Sequence, residues 1–595
     1  MADSRFIVGI DLGTTNSVLA WLDTSAGEGD ADAPAIAVMP VPQLVKPGEV
    51  AARERLPSFL YLPIEGEFSG ASLELPWGAA ERVVGELALA RGADVPTRVV
   101  ASAKSWLCSV GADPTDAILP WHAPDDVPRV SPLDASAAYL RHLRAAWDAT
   151  MPAPLAEQEV HLAVPASFDA VARELTRRAA VLAGLPAIHL IEEPQAAFYA
   201  WIGSTRGGWR RDVRVGDVIL VCDLGGGTTD LSLVAVGEER GELVLERKAV
   251  GDHILLGGDN MDLALAHAVR ARLVAAGSTL DDWQFRGLVH ACRQAKERLL
   301  ASAGREREPV VVLGRSRRVV GGAVKTELGR DELAATLFDG FFPRVGADDV
   351  PRTGRRVGLQ EIGLPYAADA AITRHVAAFL ARHRDVAPSG PSAILFNGGV
   401  MKAAPLRERM VEVLRAWRPD ADGLRVLTGA HPDLAVAEGA VAYGLARRGR
   451  GVRIRGGTAR AYYVGVETAA PAVPGVAAPL KALCVAPFGM EEGTEIDLPG
   501  AEFGLVVGEP AEFRFLGSSV RRTDRAGALI ESWVADEIDE LPPLEATLDA
   551  PGEEGRTVPV RLRAHVTELG TLELWCVSRD GARRWRVEYN VRQAS

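Results

Sequence analysis

The sequence predicts a duplicated α/β unit over residues 1–449, a linker over 450–459 and an all-β unit over 460–595. Three observations predict this. A single hairpin design occurs twice, as IVGIDLGTTNSVLAWL from residue 7 and as VILVCDLGGGTTDLSLVAV from residue 218. Strand-like and helix-like patterns alternate between and after the two copies, the signature of α/β architecture. Beyond residue 449 the helical period vanishes and apolar residues recur at every second position, as in half-buried antiparallel strands.

Each hairpin reads as a buried apolar strand, a Gly/Thr turn and a second strand. Between the copies lie a strand at 160–168, a helical run at 169–184 (DAVARELTRRAAVLAG), and the strand AIHLIEEP leading into a helix from Gln195. After the second copy, GGDNMD opens a helix running toward Arg272, and another helix covers 283–300. A strand ending in NGGV follows at 393–400, and an Ala-rich helix closes the region over 431–446. The linker RRGRGVRIRGG is basic and Gly-rich. TVPVRLRAHV, TLELWCV and RRWRVEYNV then alternate apolar with polar around Glu-Leu-Gly and Arg-Asp-Gly turns, which predicts an antiparallel β-sandwich.

At 595 residues the chain exceeds a single core. Its 48% apolar and 24% charged residues are those of an ordinary soluble protein. A net charge of -13 argues against general nucleic-acid binding, since phosphate backbones select basic surfaces. Five scattered cysteines, Cys108, Cys222, Cys292, Cys484 and Cys576, suggest neither a zinc site nor a disulfide framework. The start lacks the pattern of a signal peptide, and no run approaches a membrane span, so a cytoplasmic protein is expected. Arginine greatly outnumbers lysine, which makes each lysine worth examining.

The two turns point to phosphate. Gly13 permits a tight bend in which backbone N–H groups face inward, and Thr14 and Thr15 add hydroxyl donors. Asp11 supplies a carboxylate for the waters around Mg²⁺, which keeps much of its hydration shell. Asp223, Gly225, Gly226, Gly227, Thr228 and Thr229 repeat the design. One such turn is an ordinary hairpin; two facing each other in a duplicated fold clamp a triphosphate from both sides.

The ordered set GIDLGTTNS, VPASFDAVAR, IEEPQAAFYAW, CDLGGGTTDLS, GGDNMD, NGGV and HPDLAVAEGA resembles the seventy-kilodalton heat-shock chaperones of the actin-like ATPase superfamily. The resemblance implies an actin-like (ribonuclease H-like) ATPase domain followed by a β-sandwich, with ATP and Mg²⁺ as cofactors. Lys104, in SAKSWL, matches the family's catalytic lysine, which helps position the attacking water. Glu193 matches the carboxylate that orients metal-bound water, with Asp11 and Asp223 as the other acidic members. Thr228 would contact the γ-phosphate and Asp230 accept a proton. Pro165 and Arg173 match a proline switch and an arginine that couple nucleotide state to the other domain. Asn16, Gly257, Gly258, Lys296, Gly398, Gly399, Lys402 and Asp433 fall in the family's nucleotide-contacting segments. Two positions depart from the pattern. Arg293 replaces a ribose-contacting glutamate, and Lys402 stands near the usual adenine-stacking arginine.

RAYYVGVE, AEFRFLGSS and VTELGTLELWCVSRDG resemble strands of the family's peptide-binding sandwich. Leu483, Phe513 and Phe515 are candidate groove residues, with the ordinary core as the alternative for each. The chain stops at Ser595 without the family's helical lid, and VRIR replaces its apolar linker. Residues 341–364 form a Pro/Gly/Arg-rich stretch where the family has a simple helix. The function implied is an ATP-dependent chaperone for unfolded or extended polypeptides, assisted by a J-domain co-chaperone and a nucleotide exchange factor. The alternatives are a non-cycling ATP-binding holdase or exchange factor, and an actin-like kinase or filament protein.

Overall fold

A computed structural model describes residues 4–590 except 26–35, 69, 81, 110, 240–241, 253, 303, 313–322, 353–363, 365, 421–422, 453, 456–457, 459, 468–479, 492, 500–501, 519, 522, 535–536, 542, 550–554 and 568–570. Part of the expected linker (453, 456–457 and 459) and residues 353–363 of the unusual 341–364 stretch therefore lie outside the described residues. The chain forms two units, Met1–Arg453 and Ile454–Ser595.

The first unit holds two sheets with matching strand order. In one, Phe6–Leu12 pairs antiparallel with Asn16–Asp23 and parallel with Glu159–Val164, which pairs parallel with Ile188–Glu192. In the other, Val218–Leu224 pairs antiparallel with Thr229–Glu239 and parallel with Ala393–Asn397, which pairs parallel with Arg425–Leu427. The two central strands are buried almost throughout, as apolar strands with neighbours on both edges and helices over their faces must be.

Helix starts follow local chemistry. Asp169 caps Ala170–Leu182 by accepting from the Ala172 amide at 2.8 Å. Ser131 caps Pro132–Thr150, where proline occupies the first turn. Asp281 and Gln284 form a reciprocal capping box on Asp282–Ala301. The expected C-terminal helix covers Ala435–Arg447 and lies against Glu193–Ser204. A methyl group at Gly439 would sit 1.7 Å from the Ala196 carbonyl oxygen, so these helices meet backbone to backbone and only glycine fits.

Strand Thr229–Glu239 carries a further strand, Glu242–Val250, through an irregular register. Leu233 faces Ala249, but Val234 faces Arg247, leaving Lys248 as an extra residue. This β-bulge breaks the two-residue alternation and sends Ala249 and Arg247 to opposite faces of the sheet. Ala249 joins the apolar core with Leu231 and Leu233. Arg247 goes the other way. The described start of the Pro/Gly/Arg-rich stretch is irregular and pinned to its neighbours: the Val345 carbonyl accepts from Trp417 Nε1 at 2.7 Å, and Arg344 pairs with Glu412 at 2.6 Å.

Among the described residues the second unit contains two five-stranded antiparallel sheets and a two-stranded one, Pro510–Phe513 with Leu544–Thr547. One five-stranded sheet runs Leu529–Ile530, Leu480–Ala486, Ala461–Glu467, Phe515–Ser518, Asp539–Glu540; the other is built on Arg556–Val566, Thr571–Ser578 and Arg584–Asn590. Tyr462, Val464 and Val485 of the first share one core with Leu562, Ala564, Leu572 and Leu574 of the second. Leu483 and Phe515 belong to that core too: Leu483 is 2% exposed, and Phe515 is fully buried and stacks on Tyr589 with ring centroids 4.4 Å apart. Neither lines a groove. Alternation places these positions on the inward face, and Phe513 packs partly buried against the same core.

Candidate active site

The two Gly/Thr turns abut in the first unit. A methyl group at Gly226 would lie 2.0 Å from Thr15 Oγ1, and one at Gly227 2.6 Å from Ser105 Oγ. Around them opens a cleft of about 1000 Å³. Asp11, Gly13, Thr14, Thr15 and Asn16 line it from the first turn; Asp223, Gly225, Gly226 and Thr228 line it from the second. Gly258, Lys296, Gly398, Gly399, Lys402 and Asp433 line the remainder, and Lys104 and Glu193 meet on its floor. Residues from eight separate stretches of sequence thus converge on one cavity.

Four expected site residues lie behind this lining. Thr229 is fully buried and donates its hydroxyl to the Leu256 carbonyl at 2.7 Å, so it braces the turn rather than facing the cleft. Gly257 sits against the backbone of Gly225 and Gly226, where a side chain has no room. Gly227 faces Thr14 and Ser105. Asp230 accepts from the Ser167 hydroxyl at 2.8 Å, one layer beneath Thr228. Thr229 and Asp230 open the strand Thr229–Glu239, Gly227 sits in the turn and Gly257 precedes the helix Gly258–Ala275, so local packing rather than motif spacing decides which residues face the cavity.

Lys104 forms an ion pair with Glu193, and both are almost fully buried. Burial opposes the ammonium, yet the charges of Glu193, Asp11 and Asp230 together hold its pKa above the usual lysine value. Burial raises Asp11 to about 7, with the Glu193 charge pushing the same way and Lys104 opposing. Asp223 is pushed well above the carboxylate range by burial and by Glu193, against a hydrogen bond from Asn397 Nδ2 at 2.8 Å. Burial likewise raises Glu193 and Asp230. Four carboxylates therefore surround one ammonium, an excess of negative charge that a divalent cation relieves.

Among the described residues no three acidic, His or Cys side chains are arranged to ligate a metal directly. Asp11, Glu193 and Asp223 are accordingly not a direct ligand set. They fit a cation that keeps its own waters, as Mg²⁺ commonly does.

The outer part of the cleft is strongly ion-paired. Lys402 Nζ and Arg55 both contact Asp433 Oδ2, at 2.7 and 2.8 Å. Arg293, at the position expected to carry a glutamate, binds Asp259 and Asp262, and Lys296 binds Asp262 at 2.7 Å and the Gly258 carbonyl at 3.3 Å. The clustering of Asp259 and Asp262 explains the arginine: two carboxylates on one helical turn need a partner, and the planar guanidinium serves both.

Pro165 and Arg173 lie off the cleft. Pro165 follows strand Glu159–Val164, and Arg173 is buried, donating to the Ala166 carbonyl and to Glu192. Glu192 also receives Arg247, at 2.7 Å. Glu192 immediately precedes Glu193, so this buried pair anchors the start of the helix that carries the site carboxylate. Asn397, Glu192, Arg247 and Asp259 were not singled out from the sequence. Asn397 could have been, from NGGV; Arg247 had no signal, because its orientation depends on the bulge.

Among the described residues no helix is long and apolar enough to cross a membrane. The family model described as "Hsp70 protein" matches residues 88–343. The chain is 28% identical over 438 residues to a "Chaperone protein HscA homolog" of Pseudomonas fluorescens, covering 73% of this chain and 57% of that protein. It is 32% identical over 350 residues to the homolog of Laribacter hongkongensis, covering 56% and 48%. With that of Bordetella pertussis it shares 32% over 309 residues, covering 50% and 42%. The chain spans about half the length of the curated relatives it matches. By these matches residues 88–343 are those of an Hsp70 protein, and the chain is similar to Hsp70-type chaperones.

Proposed function

We propose that the chain is an ATP-hydrolysing chaperone of the Hsp70 type, acting in the bacterial cytoplasm on unfolded or extended polypeptides, with a J-domain co-chaperone and an exchange factor as partners. The observation that carries this is the convergence of two opposed phosphate turns on a buried Lys104–Glu193 pair. Duplication of the α/β fold puts one turn on each wall, and the matching strand order of the two sheets supports that origin.

The backbone N–H groups of residues 13–15 and 225–228 and the hydroxyls of Thr14, Thr15 and Thr228 would bind the β- and γ-phosphates. Asp11, Glu193 and Asp223 would hold the waters of Mg²⁺, which when bound neutralises charge on the phosphate oxygens. The Lys104 ammonium, fixed by Glu193, orients the attacking water. Its oxygen bonds to the γ-phosphorus as the bond to the β-phosphate oxygen breaks, giving ADP and phosphate. Asp230, one layer beneath the lining and linked to the Thr228 hydroxyl, would take the water's proton by way of that hydroxyl. Catalysis of this kind consists of positioning and charge placement.

Arg173, reaching Glu192 beside Glu193, supports a role with Pro165 in relaying the state of the site. The second unit is read as the polypeptide-binding sandwich, with its contact surface elsewhere than interior Leu483 and Phe515. ATP turnover measured with and without an unfolded polypeptide tests the proposal. Turnover stimulated severalfold is expected; no ADP formation under either condition overturns it.

A further inference from the structure

Ser102 immediately precedes Ala103–Trp106, the helical turn that carries Lys104. Its backbone is left-handed, with φ 54° and ψ 30°. That region is unfavourable for a residue bearing a Cβ, and it persists where the surroundings impose it. A serine at the start of a helix ordinarily turns its hydroxyl back onto the helix's own amides. Ser102 makes no such cap. Its hydroxyl instead donates to Asp259 Oδ2 at 2.6 Å.

Asp259 lies in the first turn of Gly258–Ala275, which is built from the half of the unit carrying the second phosphate turn. Its amide donates to the Gly226 carbonyl at 2.8 Å, which ties it to that turn. Its other carboxylate oxygen is held by Arg293, whose Nε reaches Asp262 at 2.6 Å. A continuous path of polar bonds therefore runs from the outer cleft, through Arg293 and Asp259, to the peptide two residues before Lys104.

We propose that Ser102 is a positioning residue for hydrolysis: its bond to Asp259 fastens the Lys104 segment to the opposite wall of the cleft and sets where the ammonium stands. The left-handed backbone is the cost of that fastening, because it aims the hydroxyl across the cleft instead of along the helix. The proposal rests on the reading of Lys104 as the residue that orients the attacking water. It assigns Asp259 and Arg293 a mechanical part: they transmit the seating of the outer cleft to the hydrolytic floor.

Glycine and asparagine both tolerate a left-handed backbone, but only asparagine offers a donor in place of the lost hydroxyl. Ser102→Gly, Ser102→Asn and Lys104→Ala are therefore compared for single-turnover ADP formation, nucleotide affinity and unfolding temperature. Ser102→Gly is expected to unfold no lower than the wild type and bind nucleotide within about twofold of it. It is expected to hydrolyse about tenfold more slowly, a loss confined to the chemical step. Ser102→Asn is expected to recover most of that rate. A wild-type rate in Ser102→Gly, beside an inactive Lys104→Ala, overturns the positioning role alone. So does a rate loss matched by an equal affinity loss, or an asparagine variant no faster than the glycine one. Turnover retained by Lys104→Ala overturns both the reading of Lys104 and the role built on it.

Discussion

Gly226 shows how closely single residues set the site. Its hydrogen occupies space that a methyl group would contest with Thr15 Oγ1 at 2.0 Å. Gly226→Ala is expected to push the two turns apart, weakening nucleotide binding by at least about tenfold while leaving the fold intact. Equilibrium titration with a fluorescent nucleotide, beside a melting curve, checks this; unchanged affinity would contradict it. Asn397 acts differently, holding Asp223 through a fully buried amide. Asn397→Ala is expected to drive Asp223 further toward its neutral form and so weaken the Mg²⁺ dependence of binding. Residues named by a motif were legible because their chemistry is local: Asp11, Thr14, Thr15, Lys104 and Glu193 all line the cavity. Thr229 does not face the cavity because its hydroxyl is taken up by a loop carbonyl distant in sequence, that of Leu256, which motif spacing does not show. Arg293 stood out as a departure, but its carboxylate partners Asp259 and Asp262 became apparent only with the helix register.

At the scale of elements, packing decides what periodicity leaves open. The bulge at Lys248 turns Arg247 onto Glu192, and side-chain exposures of 5% and 1% make this a fully desolvated pair. Removing one partner of such a pair typically costs about 3–5 kcal/mol, whereas replacing both costs much less. Arg247→Met is therefore expected to lower the unfolding temperature, and Arg247→Met with Glu192→Gln, which leaves the Arg173 guanidinium a neutral acceptor, to regain part of the loss. A double variant no more stable than the single one would contradict this account of the anchor. Helix Pro132–Thr150 holds a second buried titratable group. His142 Nε2 donates to the Pro42 carbonyl at 2.9 Å, and burial pulls its pKa down to about 4. An unfolded histidine protonates near pH 6.5, so this site's contribution is intact above that pH and is lost as pH falls toward 4. Between pH 7 and 5 the wild type is expected to lose about 2 kcal/mol more than His142→Gln. Denaturant titrations at both pH values measure the difference, and parallel losses would contradict it.

Over the whole molecule, the alternation of strands and helices and the repeated hairpin made the first unit legible, since both express periods written into the chain itself. The strands of the second unit were legible for the same reason, as Arg556–Val566 and Thr571–Ser578 show. Which of their faces is interior was not, because alternation marks two faces without saying which one meets another sheet; Leu483 and Phe515 proved to be core. The central claim concerns the Lys104–Glu193 pair, at the cleft where the two Gly/Thr turns meet. Single-turnover ADP formation, with nucleotide binding measured on the same samples, tests it most directly in the wild type and Lys104→Ala. The expected result is ADP formation by the wild type and a rate lower by about 10²–10³-fold in the variant, with binding largely retained. Equal rates in both proteins, or ATP bound without any ADP formed by the wild type, would contradict it.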